Sequence, residues 1–332
     1  MLVLTADYGA NVWSGIGTAV SYQVAALASR GHDVHVSAPA RADVIHLHSL
    51  TLADAALRLK QQFGIPLVYT AHSLLRVELG GRPGACAWIQ RQQMLFETAD
   101  HVCFVSRCER DRALQQMPSL AQRSSVVPNG VPDAAAGSHG GRPNGPIIFA
   151  GRFTRNKGAD IIARMAPLVL ERAPARQFIL AGGHGDEFET SSLHRLAARY
   201  PQQCRLAGWL PRDELHRLFA EASLVVIPSR YEPFGMIALE AMSLGVPVLA
   251  CASGGLAEII QPDAGGKLIH SLLPEKWAGA CLELFDDDHG WKRLSLQGPR
   301  WVSSQFHVNL TAARLEAILT GIVRPSHEFR NN

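Results

Sequence analysis

The sequence predicts an α/β protein of two half-molecules. Each is a parallel sheet covered by helices on both faces, and the two face a central cleft. Three observations carry this. The chain has 332 residues, a length that fits about two domains. Short apolar runs alternate with helical patterns almost throughout, as in parallel sheets buried on both sides. The alternation stops once, from Pro132 to Pro146, in a stretch rich in Gly, Pro, Ser and Ala with no periodicity, and then resumes. The expected division is a first domain at residues 1–135, a linker at 132–146 and a second domain at 146–300, with a tail helix at about 306–325 crossing back to the first domain.

In the first half the expected strands are Leu2–Thr5, Val34–Ser37, Val44–His48, Leu67–Thr70, Val102–Val105 and Ser125–Val127. The expected helices are Thr18–Ser29, Leu52–Phe63, Ala85–Thr98 and Cys108–Gln116. In the second half the strands are Ile147–Ala150, Gln177–Ala181, Cys204–Leu206, Leu224–Ile227, Val246–Ala250 and Lys267–Ile269. Helices follow at Ile161–Glu171, Glu189–Tyr200, Asp213–Ala222, Met236–Leu244 and Pro274–Phe285, and the tail from Trp291 to about Val323 reads as helical.

Composition closes several function classes. Hydrophobic residues make up 47% and charged residues 18%, which excludes a disordered or fibrous chain. The net charge of +3 is too small for a nucleic-acid-binding footprint. No apolar run reaches the roughly 18–20 residues of a membrane span, and Met1–Asp7 lacks the basic and apolar regions of a signal peptide. Six cysteines without C-x-x-C spacing, four of them in or beside apolar runs, read as reduced, packed thiols of a cytoplasmic protein.

Four segments carry chemistry. In Ser229–Glu240 (S-R-Y-E-P-F-G-M-I-A-L-E) a strand meets a turn and a helix, so the amides of Phe234, Gly235 and Met236 are donors at a positive helix end. Glu240 is the one charge in an otherwise apolar helix, where a buried carboxylate needs a partner. Its side chain tilts back toward that turn, where Glu232 lies. In Gly151–Gly158, Arg152 and Lys157 stand after a strand and suit a diphosphate, as a planar fork and a point charge. Ser14-Gly15-Ile16-Gly17 precedes the first helix as a backbone nest, with Val20 where a dinucleotide fingerprint has its third glycine. His72 stands at the carboxyl end of a strand. His46 and His48, on one strand face with no ligand partner in spacing, read as structural; Asp286-Asp287-Asp288 reads as a solvated turn that ends a helix, and Lys267 is assigned no role.

Together these pieces resemble a GT-B glycosyltransferase of the large retaining family four. The segment from Glu232 to Glu240 matches its E-x7-E motif with P-F-G after the first Glu, and Gly151-Arg152 with Lys157-Gly158 matches its G-R-x-x-x-x-K-G loop. Gly31-His32-Asp33-Val34, Thr70-Ala71-His72-Ser73, Pro128-Asn129-Gly130-Val131 and Gly254-Gly255-Leu256-Ala257-Glu258 fall in the family's order.

The resemblance implies two Rossmann-like domains and a metal-independent transfer of a hexosyl-type sugar, with retention, from a UDP-sugar (ahead of a GDP-sugar) to an acceptor hydroxyl. It implies no cofactor. Glu240 would bind the ribose, and Arg152 and Lys157 the diphosphate, helped by Gly15, Gly17 and the amides of Phe234, Gly235 and Met236. Glu232 and His72 would serve as catalytic residues at the transferred sugar, and Trp209 and Leu210 would border the base. The partners are then a nucleotide-sugar donor and a small-molecule or glycan acceptor, with no nucleic acid and no stable membrane association. A GT-B nucleotide-sugar epimerase and a non-catalytic sugar-nucleotide-binding protein are the alternatives. The sequence departs from the family in a short link between Val34–Ser37 and Ala42, on the acceptor side, and in Ser14, where the family has glycine.

Overall fold

The computed structural model describes residues 1–8, 14–37, 41–134, 140–183, 185–262 and 264–323. The chain divides into two compact units, Met1–Pro132 with His307–Asn332, and Asp133–Phe306.

Unit 1 begins with β1 (Leu2–Leu4), α1 (Gly15–Ser29), β2 (His35–Val36), β3 (Ile45–Leu47), α2 (Ala53–Phe63) and β4 (Leu67–Ala71). It continues with α3 (Leu75–Glu78), α4 (Ala85–Thr98), β5 (His101–Phe104), α5 (Arg107–Gln116) and β6 (Ser124–Val126). The strands pair in parallel in the order β2-β1-β3-β4-β5-β6. The period-two alternation of side chains splits the core between the two faces. Leu2, Leu4, Ile45, Leu47, Leu67, Tyr69, Val102 and Phe104 pack with Leu95 and Phe96 of α4 on one face. Val68 and Cys103 pack on the other, with Ala26 and Leu27 of α1. The chain leaves β1 first for β2 and then for β3 on the opposite side, so the connections diverge between β1 and β3. Open α/β sheets hold ligands at the carboxyl ends beside such a point.

Unit 2 runs β7 (Ile147–Arg152), α6 (Ala159–Arg172), β8 (Phe178–Gly183), α7 (Glu187–Arg199), β9 (Cys204–Gly208), α8 (Arg212–Ala220) and β10 (Leu224–Ile227). It closes with α9 (Met236–Ser243), β11 (Val248–Cys251), α10 (Leu256–Ile259), β12 (Gly266–Ile269), α11 (Pro274–Asp286) and α12 (Asp288–Phe306). The order is β12-β11-β10-β7-β8-β9, all parallel, so the connections diverge between β7 and β10. The last helix, α13 (Val308–Val323), belongs to unit 1. There Val308, Ala312, Leu315 and Leu319 pack against Ala26 and Leu27, and the Thr311 hydroxyl donates to the Pro128 carbonyl at 2.8 Å. Burying Leu315 and Leu319 contributes about 1.5–3 kcal/mol each.

Three expected boundaries are corrected. The second part of the expected linker belongs to unit 2, because its backbone finds partners there: Gly140 N–H donates to Leu244 O at 3.1 Å, Arg142 N–H to Ala222 O at 2.8 Å, and Pro146 O accepts from Ser223 N–H at 2.9 Å. Residues 135–139 of that linker, and 324–325 of the expected tail helix, lie outside the described residues. Unit 2 extends past residue 300 to Phe306, held by the Trp301 indole N–H donating to Ile259 O at 2.8 Å. The helical tail also breaks at His307, whose Nδ1 accepts from Asn309 N–H at 3.2 Å while Val131 O accepts from Val308 N–H at 3.0 Å.

All six cysteines are free, with Cys103, Cys204, Cys251 and Cys281 buried. Among the described residues no helix is long and apolar enough to cross a membrane.

Candidate functional site

In unit 2 the candidate residues gather at the divergence point. β7 ends at Arg152, and the Thr154 side chain caps the following turn by accepting from Lys157 N–H at 3.3 Å. After β10, the loop 228–235 lies against that turn. Arg230 N–H donates to Asn156 O at 2.8 Å, and the Arg230 guanidinium forks onto both Asp160 oxygens at 2.7 Å each. This bidentate pair joins the start of α6 to the loop before α9.

The stitched loops bring Lys157 and Glu232 together. Lys157 Nζ donates to Glu232 Oε2 at 2.7 Å, and the Ser229 hydroxyl donates to the same oxygen at 3.2 Å. The Glu232 side chain is 14% exposed and that of Lys157 23%. The backbone of Glu232 is held from behind: Gly255 N–H donates to Glu232 O at 2.9 Å. Gly254 has φ +53°, and a Cβ there would lie 2.1 Å from Glu232 O, so only glycine allows this approach.

Phe234 is buried and meets Phe306 edge-on at 6.2 Å between centroids. Gly235 takes φ +121° to open α9. Hydrogen bonding of α9 starts with Ala238 and Leu239 N–H donating to Gly235 O, so the Phe234, Gly235 and Met236 amides precede the helical ladder. They stand at the positive end of the helix, on the loop that carries Glu232.

Glu240 lies one turn into α9 and is only 4% exposed. Its Oε1 is 3.5 Å from Nε2 of His216 on α8, a distant partner for a buried carboxylate that leaves it capacity to accept further hydrogen bonds. His216 was not singled out from the sequence, because α8 reads as an ordinary amphipathic helix. The Trp209 ring lies beside Gly183, the last residue of β8: a Cβ at Gly183 would meet Trp209 Nε1 at 3.2 Å. Trp209 and Leu210 are half-buried and follow β9, at the same end of the sheet as the two loops.

Unit 1 holds Gly15, Gly17 and His72. Ser14 caps α1, its hydroxyl accepting from Gly17 N–H at 3.0 Å and donating to the Asp7 carboxylate. This cap holds the amide of Gly17, a residue expected at the diphosphate. It also gives Ser14 a use that a glycine could not serve. Gly15 is exposed at the first position of α1.

His72 does not stand alone. Its Nε2 shares a hydrogen bond with His48 Nδ1 at 2.9 Å, and His46 Nε2 shares one with the Thr70 hydroxyl at 2.7 Å. The imidazoles lie against one another at a tilt, with centroids 4.1 Å apart and planes at 51° for His46 and His48, and 5.2 Å and 31° for His48 and His72. Burial lowers the pKa of all three: to about 4 for His72, to about 3 for His46, and well below the ordinary value for His48, with the neighbouring rings adding to the effect on His46 and His48. All three are therefore neutral at pH 7. The sequence reading set His46 and His48 aside as structural. The missed signal is a pair of motifs, H-x-H on β3 and T-x-H on β4, which meet only in this pairing register.

Residues 143–301 match the family described as glycosyl transferases group 1, and residues 38–135 match Glycosyltransferase Family 4. D-inositol 3-phosphate glycosyltransferase of Thermobispora bispora is 30% identical over 312 residues, covering 87% of this chain and 73% of the relative. Alpha-maltose-1-phosphate synthase of Mycolicibacterium smegmatis is 32% identical over 254 residues, covering 69% of this chain and 64% of the relative. Among solved structures, sucrose-phosphate synthase from Thermosynechococcus elongatus superposes with a TM-score of 0.79 at 21% identity, covering 97% of this chain and 98% of that one. Anabaena HepE in complex with UDP-glucose gives 0.79 at 17% identity, covering 96% and 99%. With its two six-stranded parallel sheets, the chain belongs to the group 1 glycosyltransferases, as a GT4-type enzyme of the GT-B fold.

Proposed function

We propose that this chain transfers a hexosyl-type sugar, with retention and without a metal ion, from a nucleotide diphosphate sugar to the hydroxyl of a small acceptor. UDP is favoured over GDP as the nucleotide. The observation that carries this reading is the Lys157–Glu232 pair at the divergence point of unit 2, beside the amino end of α9 and one turn from the buried Glu240.

Each part suits a portion of the donor. Lys157, Arg152 and the amides of Phe234, Gly235 and Met236 offer positive charge to a leaving diphosphate, which is the charge that grows as the sugar–phosphate bond breaks. The exposed Gly15 at the start of α1 offers a further amide. Glu240, buried with a distant partner, suits the paired hydroxyls of a ribose. Trp209 and Leu210 offer an apolar border for a base. Glu232, once Lys157 turns to phosphate, is left as an acceptor for sugar hydroxyls. His72, neutral and partly exposed, presents a hydrogen-bonding nitrogen without a charge that would compete with an oxocarbenium-like centre. Retention follows if the leaving phosphate accepts the proton of the attacking hydroxyl on the same face. The names of the relatives, which include inositol 3-phosphate and maltose 1-phosphate, support a small polyol or sugar as acceptor.

The test is a thermal-shift panel of UDP, GDP, ADP and their glucose conjugates, in buffer with and without EDTA. UDP and UDP-glucose should raise the melting temperature most, and EDTA should leave the shift unchanged. A larger shift with GDP or ADP overturns the nucleotide assignment, and a shift that vanishes with EDTA overturns metal independence.

A further inference from the structure

We propose that His48 is the positioning residue for His72: its Nδ1 holds His72 Nε2, fixing the plane of that ring, so that Nδ1 of His72 is the nitrogen turned to substrate. This rests on the reading of His72 as a contact of the transferred sugar.

The argument starts from the register. β3 and β4 pair with His46 opposite Val68 and Leu47 opposite Tyr69. On the face shared by residues 46, 48, 68, 70 and 72, each histidine of β3 reaches a side chain two positions further along the neighbouring strand. His46 thus meets Thr70, and His48 meets His72. The two bonds form consecutive rungs, with the same sequence separation of 24 residues. His48 is anchored before it touches His72. Its amide donates to Leu4 O at 2.9 Å, so its backbone is tied to β1. It is 5% exposed, and its ring packs at a tilt against that of His46, which is 1% exposed and bonded to Thr70. His48 also lies where the connections of unit 1 diverge, between β1 and β3, the place where such sheets hold ligands.

A histidine with two unconstrained nitrogens rotates about χ2, and a hydrogen bond to one nitrogen removes that freedom, whichever ring is the donor. Here the bond uses Nε2 of His72, and among the described residues its Nδ1 has no hydrogen-bond partner. A buried imidazole that bonds another imidazole, both neutral, has no other evident structural purpose at this position. A hydrophobic residue would fill the sheet face without the cost of an enclosed polar ring.

The experiment compares wild type, His48→Phe, His48→Asn and His72→Gln as full-length chains. Asn places an amide near the position of Nδ1, whereas Phe fills the volume without a hydrogen bond. UDP release from UDP-glucose measures turnover, calorimetric titration with UDP measures nucleotide binding, and proton–nitrogen NMR of labelled histidine reports the hydrogen-bonded state of His72 Nε2. With His48→Phe, turnover should fall about 10- to 100-fold while UDP affinity stays within about twofold. His48→Asn should regain most of the loss, and the Nε2 signal of His72 should move in His48→Phe and return toward wild type in His48→Asn. Turnover in His48→Phe equal to wild type, where His72→Gln loses it, overturns the proposal. If His72→Gln keeps full turnover, the reading of His72 at the sugar fails instead. The NMR comparison then decides positioning by itself: a His72 Nε2 signal unchanged in His48→Phe refutes it, and one that moves supports it.

Discussion

Replacing Lys157 by methionine removes the ammonium that faces Glu232 while keeping the stem of the side chain. At 2.7 Å and an effective dielectric near 20, the gross attraction of the pair is about 6 kcal/mol, most of it offset by taking both groups partly out of water. A charge-assisted hydrogen bond leaves a net of about 1.5–3 kcal/mol. On the proposed reading, that ammonium turns from Glu232 to the diphosphate when donor binds, so its loss should weaken UDP by about 10- to 150-fold. Glu232→Gln acts in the opposite direction. It keeps a partner for the Ser229 hydroxyl but releases Lys157, so UDP affinity should hold or rise while sugar transfer falls. Calorimetric titration of both variants with UDP, beside UDP release from UDP-glucose, separates the two partners of one ion pair. UDP binding unchanged in Lys157→Met, under conditions where wild type binds, would refute the assignment of Lys157 to the diphosphate. Weakened UDP binding in Glu232→Gln would refute the competition between Glu232 and the ligand.

Three further outcomes are expected. Glu240→Gln should weaken UDP by about 10-fold or more but 2′-deoxy-UDP much less, since the lost acceptor serves a ribose hydroxyl; equal losses by calorimetry would place Glu240 elsewhere. Gly254→Ala should destabilise unit 2 by about 2–4 kcal/mol through the left-handed backbone and the clash with Glu232 O, lowering the melting temperature by roughly 4–16 °C in a circular-dichroism scan; an unchanged melt would show that the 254–255 turn yields freely. The lowered histidine pKa values set a pH dependence with a definite sign. Folded His72 and His46 bind a proton only near about 4 and about 3, whereas unfolded imidazoles bind it near 6.5, so the unfolded state takes up more protons as pH falls below about 6.5. Stability should therefore drop by up to about 1.4 kcal/mol per pH unit for each such histidine below that pH and be insensitive to them above it. His46→Gln, which can keep a hydrogen bond to Thr70, should flatten the fall in melting temperature between pH 6.5 and 5. An unchanged slope would mean that His46 does not titrate on unfolding in that range.

Much of the fold was legible because the central strands of unit 2 are apolar in their own right. Ile147–Phe149, Leu224–Ile227 and Val248–Cys251 need no knowledge of their neighbours to be recognised as buried on both faces. The unit 2 loops were legible for a related reason. Arg152 ends β7, Lys157 and Glu232 lie in the loops after β7 and β10, and the strand order places β7 beside β10, so position in the chain nearly dictates which of these residues meet. Glu240 announced itself as a lone carboxylate among apolar residues, and it is buried. The boundaries were less legible. A Gly/Pro stretch looks the same whether its amides face water or, like those of Gly140 and Arg142, find carbonyls on a neighbouring element. The break at His307 has no proline or glycine to mark it, and it exists because Val131 O takes the Val308 amide.

The histidines of unit 1 show why residue-by-residue weighing runs out at such a place. His46 and His48 on one strand, judged alone, are two buried polar rings with an unfavourable desolvation term, and a structural role is the sensible reading. Judged against β4 in register, the same rings answer Thr70 and His72 one to one. The information is therefore held between strands: a shift of one residue in the β3–β4 pairing would turn every one of these side chains to the wrong face. This makes the register itself part of the site. Val68, opposite His46, packs in the core with Ala26 and Leu27, so core packing on this face sets where His72 stands. Enlarging Val68 to Phe should consequently disturb His72 through the strand rather than through contact with substrate. Turnover of UDP-glucose should fall while UDP binding, which the proposed reading gives mainly to unit 2 residues, stays within about twofold. A variant that folds with both quantities equal to wild type would break the link argued here between sheet register and the histidine at the strand end.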